Sequence, residues 1–192
     1  MVIFITGGSG SGKSEYAEQR AVLCREQLEK KSPGSETELI YIATMEAQDP
    51  ESRKRIERHR RMRAQKHFTT IECYTHLEEL SLKKSDSEKQ SIVLLECLSN
   101  LTANEMFSPK GRNDKVVSVI KKGIIHLTEQ SRDVIIVGNN VFEDGIQYDE
   151  TTEAYLKQMA ELHRVLAEQA DEVIEVICGI PVFWKGEKHE VY

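Results

Sequence analysis

Gly7-Gly8-Ser9-Gly10-Ser11-Gly12-Lys13-Ser14 follows the apolar run Val2-Ile3-Phe4-Ile5-Thr6 and leads into a segment with helical patterning. The spacing is G-x-x-x-x-G-K-S, and a strand before it with a helix after it is the context in which that pattern has mechanical meaning. Glycines let the backbone fold tightly enough to turn several N–H groups toward a phosphate chain, and the helix adds its positive N-terminal end. Lys13 is thereby aimed at the β- and γ-phosphates of a nucleoside triphosphate, and Ser14 at Mg²⁺, which bridges phosphate oxygens. Gly7, Gly8, Ser9, Gly10, Ser11, Gly12, Lys13 and Ser14 are therefore candidate nucleotide-binding residues, with Lys13 also a candidate catalytic residue. A glycine-rich turn that carries GKS by chance is the competing reading.

Outward from this loop, short β-branched runs at 2–6, 39–43, 69–73, 91–96, 134–137 and 173–178 read as strands. Most are apolar throughout, which suits strands covered on both faces. Residues 13–30, 53–63, 114–130 and 152–170 read as helices, and in the last of these Leu156, Met159, Leu162, Leu166 and Ala170 form a stripe for a sheet. The alternation predicts an α/β fold with a mostly parallel sheet flanked by helices. Pro, Gly, Ser and charge cluster at 31–36, 83–90 and 108–114 as connections, so residues 1–192 read as one nucleotide-binding domain. Such sheets place ligands at strand ends, which makes Glu96 the candidate second metal ligand beside Ser14 and a further nucleotide-binding residue. A strand-end carboxylate without a metal is the alternative. Val182, Phe183 and Trp184 read as a C-terminal strand or hairpin arm.

The chain has 192 residues, 39% hydrophobic and 30% charged, a balance that folds in water. Lys plus Arg is 26 against Asp plus Glu at 32, a formal charge of −6 that argues against nucleic acid as a general partner. No apolar stretch reaches the ~20 residues of a membrane span. The N-terminal residues lack the basic segment of an export signal, so a cytoplasmic location is expected. Cys24, Cys73, Cys97 and Cys178 are far apart in sequence, without a C-x-x-C pair, and read as four buried or inert thiols in a reducing compartment.

Residues 53–66 read RKRIERHRRMRAQK, with His59 among Lys and Arg. On a helix Ile56, His59, Arg60 and Arg63 share a face. Neighbouring arginines bias the imidazole toward its neutral, nucleophilic form, because protonation there adds like charge. One reading is covalent catalysis: His59 attacks the α-phosphorus of a nucleotide while Arg58, Arg60 or Arg63 neutralises the departing pyrophosphate. A solvated basic helix and a helix that contacts RNA or DNA are the other two readings, and residue chemistry alone leaves all three open. His67 and His76 read as ordinary surface residues, His163 as a packing or interface residue, and Asn139 and Asn140 as a turn or a substrate contact.

These residues resemble the bifunctional adenosylcobinamide kinase / adenosylcobinamide-phosphate guanylyltransferase family of cobalamin biosynthesis. The likeness rests on TGGSGSGKS with Glu15, Ala17 and Glu18, on Tyr41-Ile42-Ala43-Thr44, and on Arg55-Ile56 with His59-Arg60. It continues through Thr70-Ile71-Glu72, Leu95-Glu96-Cys97-Leu98-Ser99 with Asn104, residues 167–173 and Gly179-Ile180-Pro181. The resemblance implies a P-loop NTPase fold with a RecA-like sheet, Mg²⁺ as cofactor, and ATP and GTP as substrates. It implies two reactions: phosphorylation of adenosylcobinamide, then transfer of GMP from GTP to the product through a phosphoramidate on His59. Arg60, Glu72 and Glu96 join the nucleotide contacts, and a homotrimer is expected. Departures from the family pattern fall at Arg63-Ala64, His67-Phe68, Asn140, Phe142, Lys157, Ala160 and His163. They keep two other readings in view, a P-loop kinase of another small metabolite and a nucleotide-binding paralogue without cobinamide activity.

Overall fold

The computed structural model describes residues 1–34, 36–47, 50–82, 90–142 and 145–187, without the side chains of residues 51, 52, 55, 58, 59, 62 and 114. Seven strands are described: β1 (Val2–Thr6), β2 (Thr37–Ala43), β3 (Phe68–Glu72), β4 (Gln90–Glu96), β5 (Asp133–Val137), β6 (Glu172–Ile177) and β7 (Ile180–Lys185). They form one sheet in the order β3-β2-β4-β5-β1-β6-β7. All neighbouring pairs are parallel except β6 with β7, which form an antiparallel hairpin. The helices are α1 (Lys13–Lys31), α2 (Pro50–Arg63), α3 (Leu98–Phe107), α4 (Val116–Gln130) and α5 (Glu150–Gln169).

Alternation along the strands divides the core. Ile3 and Ile5 face α1 together with Leu39, Tyr41, Ile92, Leu94 and Ile174, while Phe4 faces α3, α4 and α5 together with Val93, Leu95 and Ile136. β4 and β5 are buried almost end to end, the condition that a parallel strand between two helical layers imposes. A buried ion pair crosses between layers: Arg20 of α1 donates twice to Glu172 of β6, at 2.8 and 3.0 Å. Within so dry a site both partners have to be present, because either alone would be an uncompensated buried charge.

The sequence reading placed four helices and all seven strands to within a few residues, the seventh as a strand or hairpin arm at 182–184; α3 it did not read. That helix buries Thr102 and Glu105 with Leu98 and Leu101, so no clean apolar stripe marks it. Glu105 is fully buried and accepts the backbone N–H groups of His76 at 2.6 Å and Arg112 at 2.9 Å. Residue 114, expected to begin α4, lies in the short 3-10 turn Asn113–Lys115, and most of the expected loop 83–90 lies outside the described residues. The 173–178 strand ends at Ile177, and Cys178 enters a turn with φ 50°. Cys178 is exposed, which removes the buried half of its reading as a buried or inert thiol; Cys24, Cys73 and Cys97 are buried. No helix among the described residues is long and apolar enough to cross a membrane.

His163 of α5 is a packing residue. Its ring meets Phe4 and Phe142 edge-on, at 5.0 and 5.2 Å between centroids, and its Nε2 has no hydrogen-bond partner among the described residues. Burial holds its pKa down at about 4. The unfolded chain takes up this proton near pH 6.5 while the folded one refuses it until about 4, so stability is undiminished above 6.5 and falls as pH drops between those values. The loss is roughly 2–4 kcal/mol, and denaturant melts across this range should show the acid slope reduced in His163→Leu.

Candidate active site

The G-x-x-x-x-G-K-S loop spans from the end of β1 to the start of α1 and is pinned from two neighbouring strand ends. The Asn140 N–H donates to the Gly7 carbonyl at 3.0 Å, from the segment after β5. From the β6–β7 turn, the Gly179 N–H donates to the Ser11 carbonyl at 2.8 Å. A Cβ on Gly7 would lie 2.5 Å from the Val176 carbonyl oxygen, a distance no side chain tolerates, so that position requires glycine. Gly12 caps α1 in the left-handed region, with φ 90°. The Lys13 ammonium is folded back onto the Gly8 carbonyl at 2.9 Å, across the mouth of the loop. Ser14, in the first turn of α1, is partly exposed.

Lys13 is buried, and burial lowers its pKa while the carboxylate of Glu96 works in the opposite direction. Glu96 ends β4 and is itself buried. Burial, with the charge of Glu96 next in weight, raises the Tyr41 phenol far above its ordinary pKa, and Tyr41 is hydrogen-bonded to the Glu96 carboxylate. The Arg63 guanidinium stacks on the Tyr41 ring, 3.4 Å from its centroid. Just beyond α2, Lys66 pairs at 2.7 Å with Glu18 of α1, a buried carboxylate whose pKa is raised by burial against the pull of Lys66. The C-terminal end of the basic helix is thus anchored beside α1 and the Glu96 end of the sheet.

Thr44 holds the segment after β4: its hydroxyl donates to the Cys97 carbonyl at 2.8 Å and accepts the Cys97 N–H at 2.7 Å. Asn104 of α3 donates to the Thr44 and Tyr74 carbonyls, at 2.8 and 3.0 Å, and ties β2 to the chain after β3. Arg60 and Glu72 meet each other in an exposed ion pair of 2.9 Å, and the Tyr74 hydroxyl donates to the other Glu72 oxygen at 2.7 Å. His59 belongs to α2, and its side chain lies outside the described residues.

The eight loop residues, Lys13 among them, and Glu96 are therefore one group, and Arg60 with Glu72 a second. Three parts of the first group were not foreseen: the Glu18–Lys66 pair, the Tyr41 link between Arg63 and Glu96, and the Gly179 contact. Each depends on residues distant in sequence. Only the Cys178-Gly179 dipeptide after an apolar run carried a local signal, that of a turn.

A phosphate loop at the edge of β1, a helix N-terminus behind it and a mostly parallel sheet define a P-loop NTPase fold. The profile of the family described as cobinamide kinase / cobinamide phosphate guanyltransferase matches residues 3–183. The chain belongs to that family, and it is an enzyme of the kinase and nucleotidyltransferase type. It is 29% identical over 193 residues to the bifunctional adenosylcobalamin biosynthesis protein CobU of Escherichia coli K12, covering 95% of this chain and 98% of the relative. Over 188 residues it is 28% identical to the bifunctional adenosylcobalamin biosynthesis protein CobP of Pseudomonas aeruginosa, covering 95% and 96%.

Removing the ammonium in Lys13→Ala should weaken triphosphate affinity by about 10- to 100-fold, the range of one to two charge-assisted hydrogen bonds. Calorimetric titration with GTP measures it, and unchanged affinity would contradict the phosphate-cradle assignment.

Proposed function

We propose that this protein phosphorylates adenosylcobinamide with a nucleoside triphosphate and then transfers GMP from GTP to the phosphorylated product through a covalent intermediate on His59. The observation that carries the reading is the pinned phosphate loop with the basic helix anchored beside it through Arg63 on Tyr41 and Lys66 on Glu18. In the kinase reaction the acceptor hydroxyl oxygen bonds to the γ-phosphorus as the bond to the β-phosphate oxygen breaks, and its proton leaves to solvent. Lys13 moves from the Gly8 carbonyl to the phosphates and offsets their charge. The Ser14 hydroxyl and the Glu96 carboxylate are the hard oxygen donors Mg²⁺ prefers and stand near Lys13, so they fit that ion. When bound it would neutralise phosphate charge.

In the guanylyl reaction a neutral ring nitrogen of His59 bonds to the α-phosphorus of GTP and pyrophosphate departs with the bridging oxygen. A phosphate oxygen of cobinamide phosphate then displaces the imidazole and takes the GMP group. Splitting one difficult transfer into two displacements is what a covalent nucleophile offers. We assign Arg60 and Glu72 to the nucleotide on this side, supported by the ion pair between Arg60, one position beyond His59 in α2, and Glu72 at the end of β3. The resemblance adds a homotrimer and a cytoplasmic setting to the proposal.

Incubation with Mg²⁺ and GTP labelled at the α-phosphorus, followed by denaturation and peptide mass analysis, should find an acid-labile GMP adduct on the peptide that carries His59. GTP that binds and leaves no adduct would contradict the covalent step.

A further inference from the structure

On the far side of β1 from helix α2, a pocket of about 820 Å³ opens directly off the phosphate loop. One wall is the leading half of that loop, Gly8 to Ser11; the others are Asn140, Val141 and Tyr148 between β5 and α5, the first turns of α5, and the end of β6. Apart from the phosphate loop and Asn140, which pins it, none of the roles assigned above uses its walls.

Its chemistry is unlike that of the phosphate cradle. Among the described lining residues Glu175 is the one charged at neutral pH, and none is Lys or Arg. Tyr148, Tyr155 and Leu156 present rings and an alkyl group, while Asn140 and Thr152 supply amide and hydroxyl contacts. The hairpin extends the apolar wall outward. Its register sets Glu175 opposite Val182 and Ile177 opposite Ile180, so all four share one face. Trp184 joins them by donating its indole N–H to Glu175 Oε2 at 3.1 Å.

This face is left open. Ile177, Ile180 and Trp184 are 50%, 66% and 70% exposed, and Ile146, in the opposite wall segment, is 62% exposed. Of the eight large hydrophobic side chains exposed among the described residues, five (these four and Phe142) lie in the two segments that flank the pocket. Apolar side chains concentrated beside a polar cleft mark a surface that a ligand or partner covers.

We infer that this pocket and the hairpin face beyond it hold the corrin ring of the acceptor, so that its hydroxyl reaches the γ-phosphate over the leading half of the phosphate loop. The inference rests on the proposed kinase and guanylyltransferase reading. If His59 takes the α-phosphate on the α2 side of β1, the γ-phosphate end of the triphosphate is directed to the other side, where the pocket lies. The volume is near the top of the roughly 300–1,000 Å³ range of small-molecule sites and exceeds what a nucleoside fills. A cobalt(III) corrin with an alkyl ligand is a broad, flat cation with alkyl and amide groups on its rim. It matches a pocket whose described lining carries the Glu175 carboxylate, no basic side chain and an apolar apron.

Ile177→Glu and Ile180→Glu alter exposed side chains and can be measured by equilibrium dialysis with adenosylcobinamide and, separately, with GTP. The expected result is a rise of at least tenfold in the corrinoid dissociation constant with the GTP constant unchanged, which also reports an intact fold. Unchanged corrinoid binding would overturn the inference. A parallel loss of GTP would also overturn it, by assigning the pocket to the nucleoside. So would a changed sedimentation coefficient in the variants, by assigning the face to a second copy of the chain. Cys178 gives a test without substitution, since it lines the pocket and the other three cysteines are buried. Adenosylcobinamide without nucleotide should slow its alkylation at least severalfold, and an unchanged rate would count against the site. If the unsubstituted protein binds no adenosylcobinamide at all, the functional reading fails first and takes this inference with it.

Discussion

The hydrogen bond from the Gly179 N–H to the Ser11 carbonyl, 2.8 Å long, joins the β6–β7 turn to the phosphate loop after β1. A phosphate loop binds through backbone N–H groups, so its affinity depends on keeping those groups convergent before the ligand arrives. Here the loop is held from the β5 side by Asn140, from the β6–β7 turn by Gly179, and from within by Lys13 on Gly8. The close approach of Gly7 to the Val176 carbonyl belongs to the same constraint: the loop is pressed against β6 so tightly that one methyl group would displace it. The hairpin that looks like a C-terminal appendage is thus part of the cradle.

Because β1 lies inside the sheet, the loop has neighbours on both sides, and the two sides differ in character. Toward β4 and β2 the groups are charged and mutually braced: Glu96 with Tyr41, Arg63 on the Tyr41 ring, Lys66 with Glu18. Toward β6 and β7 they are apolar and open. One triphosphate lying across β1 would present its ends to these two surroundings. This division would give a physical basis for the two proposed reactions at one cradle, with the proposed nucleophile of the basic helix on one side and the inferred acceptor site in the apolar bowl on the other.

What could be read from the chain follows from the range of the interactions. The phosphate loop, the strands and most helices are written locally, in glycine spacing, apolar runs and three-to-four periodicity, and they were found where expected. Helix α3 escaped because Glu105 faces the interior, where it satisfies the backbone N–H groups of His76, distant in sequence, and of Arg112 in the loop that follows, and interrupts the apolar pattern. Cys178 was assigned to the end of a strand because the apolar run carries on to it; its positive φ is a property of the turn. Arg60 and Glu72 could be nominated from the sequence, but not that they pair with each other. Arg63 could be chosen as a cation near phosphate, yet its stacking on Tyr41 required the fold to bring β2 under the end of α2.

The central claim is that one cradle serves two chemistries through different neighbours, and it is tested most directly by following two labels in a single variant. His59→Ala should be given adenosylcobinamide with γ-labelled ATP, and phosphorylated cobinamide with α-labelled GTP. The account predicts that the γ-label still reaches the corrinoid while the α-label does not. Loss of both transfers, or survival of both, would contradict it.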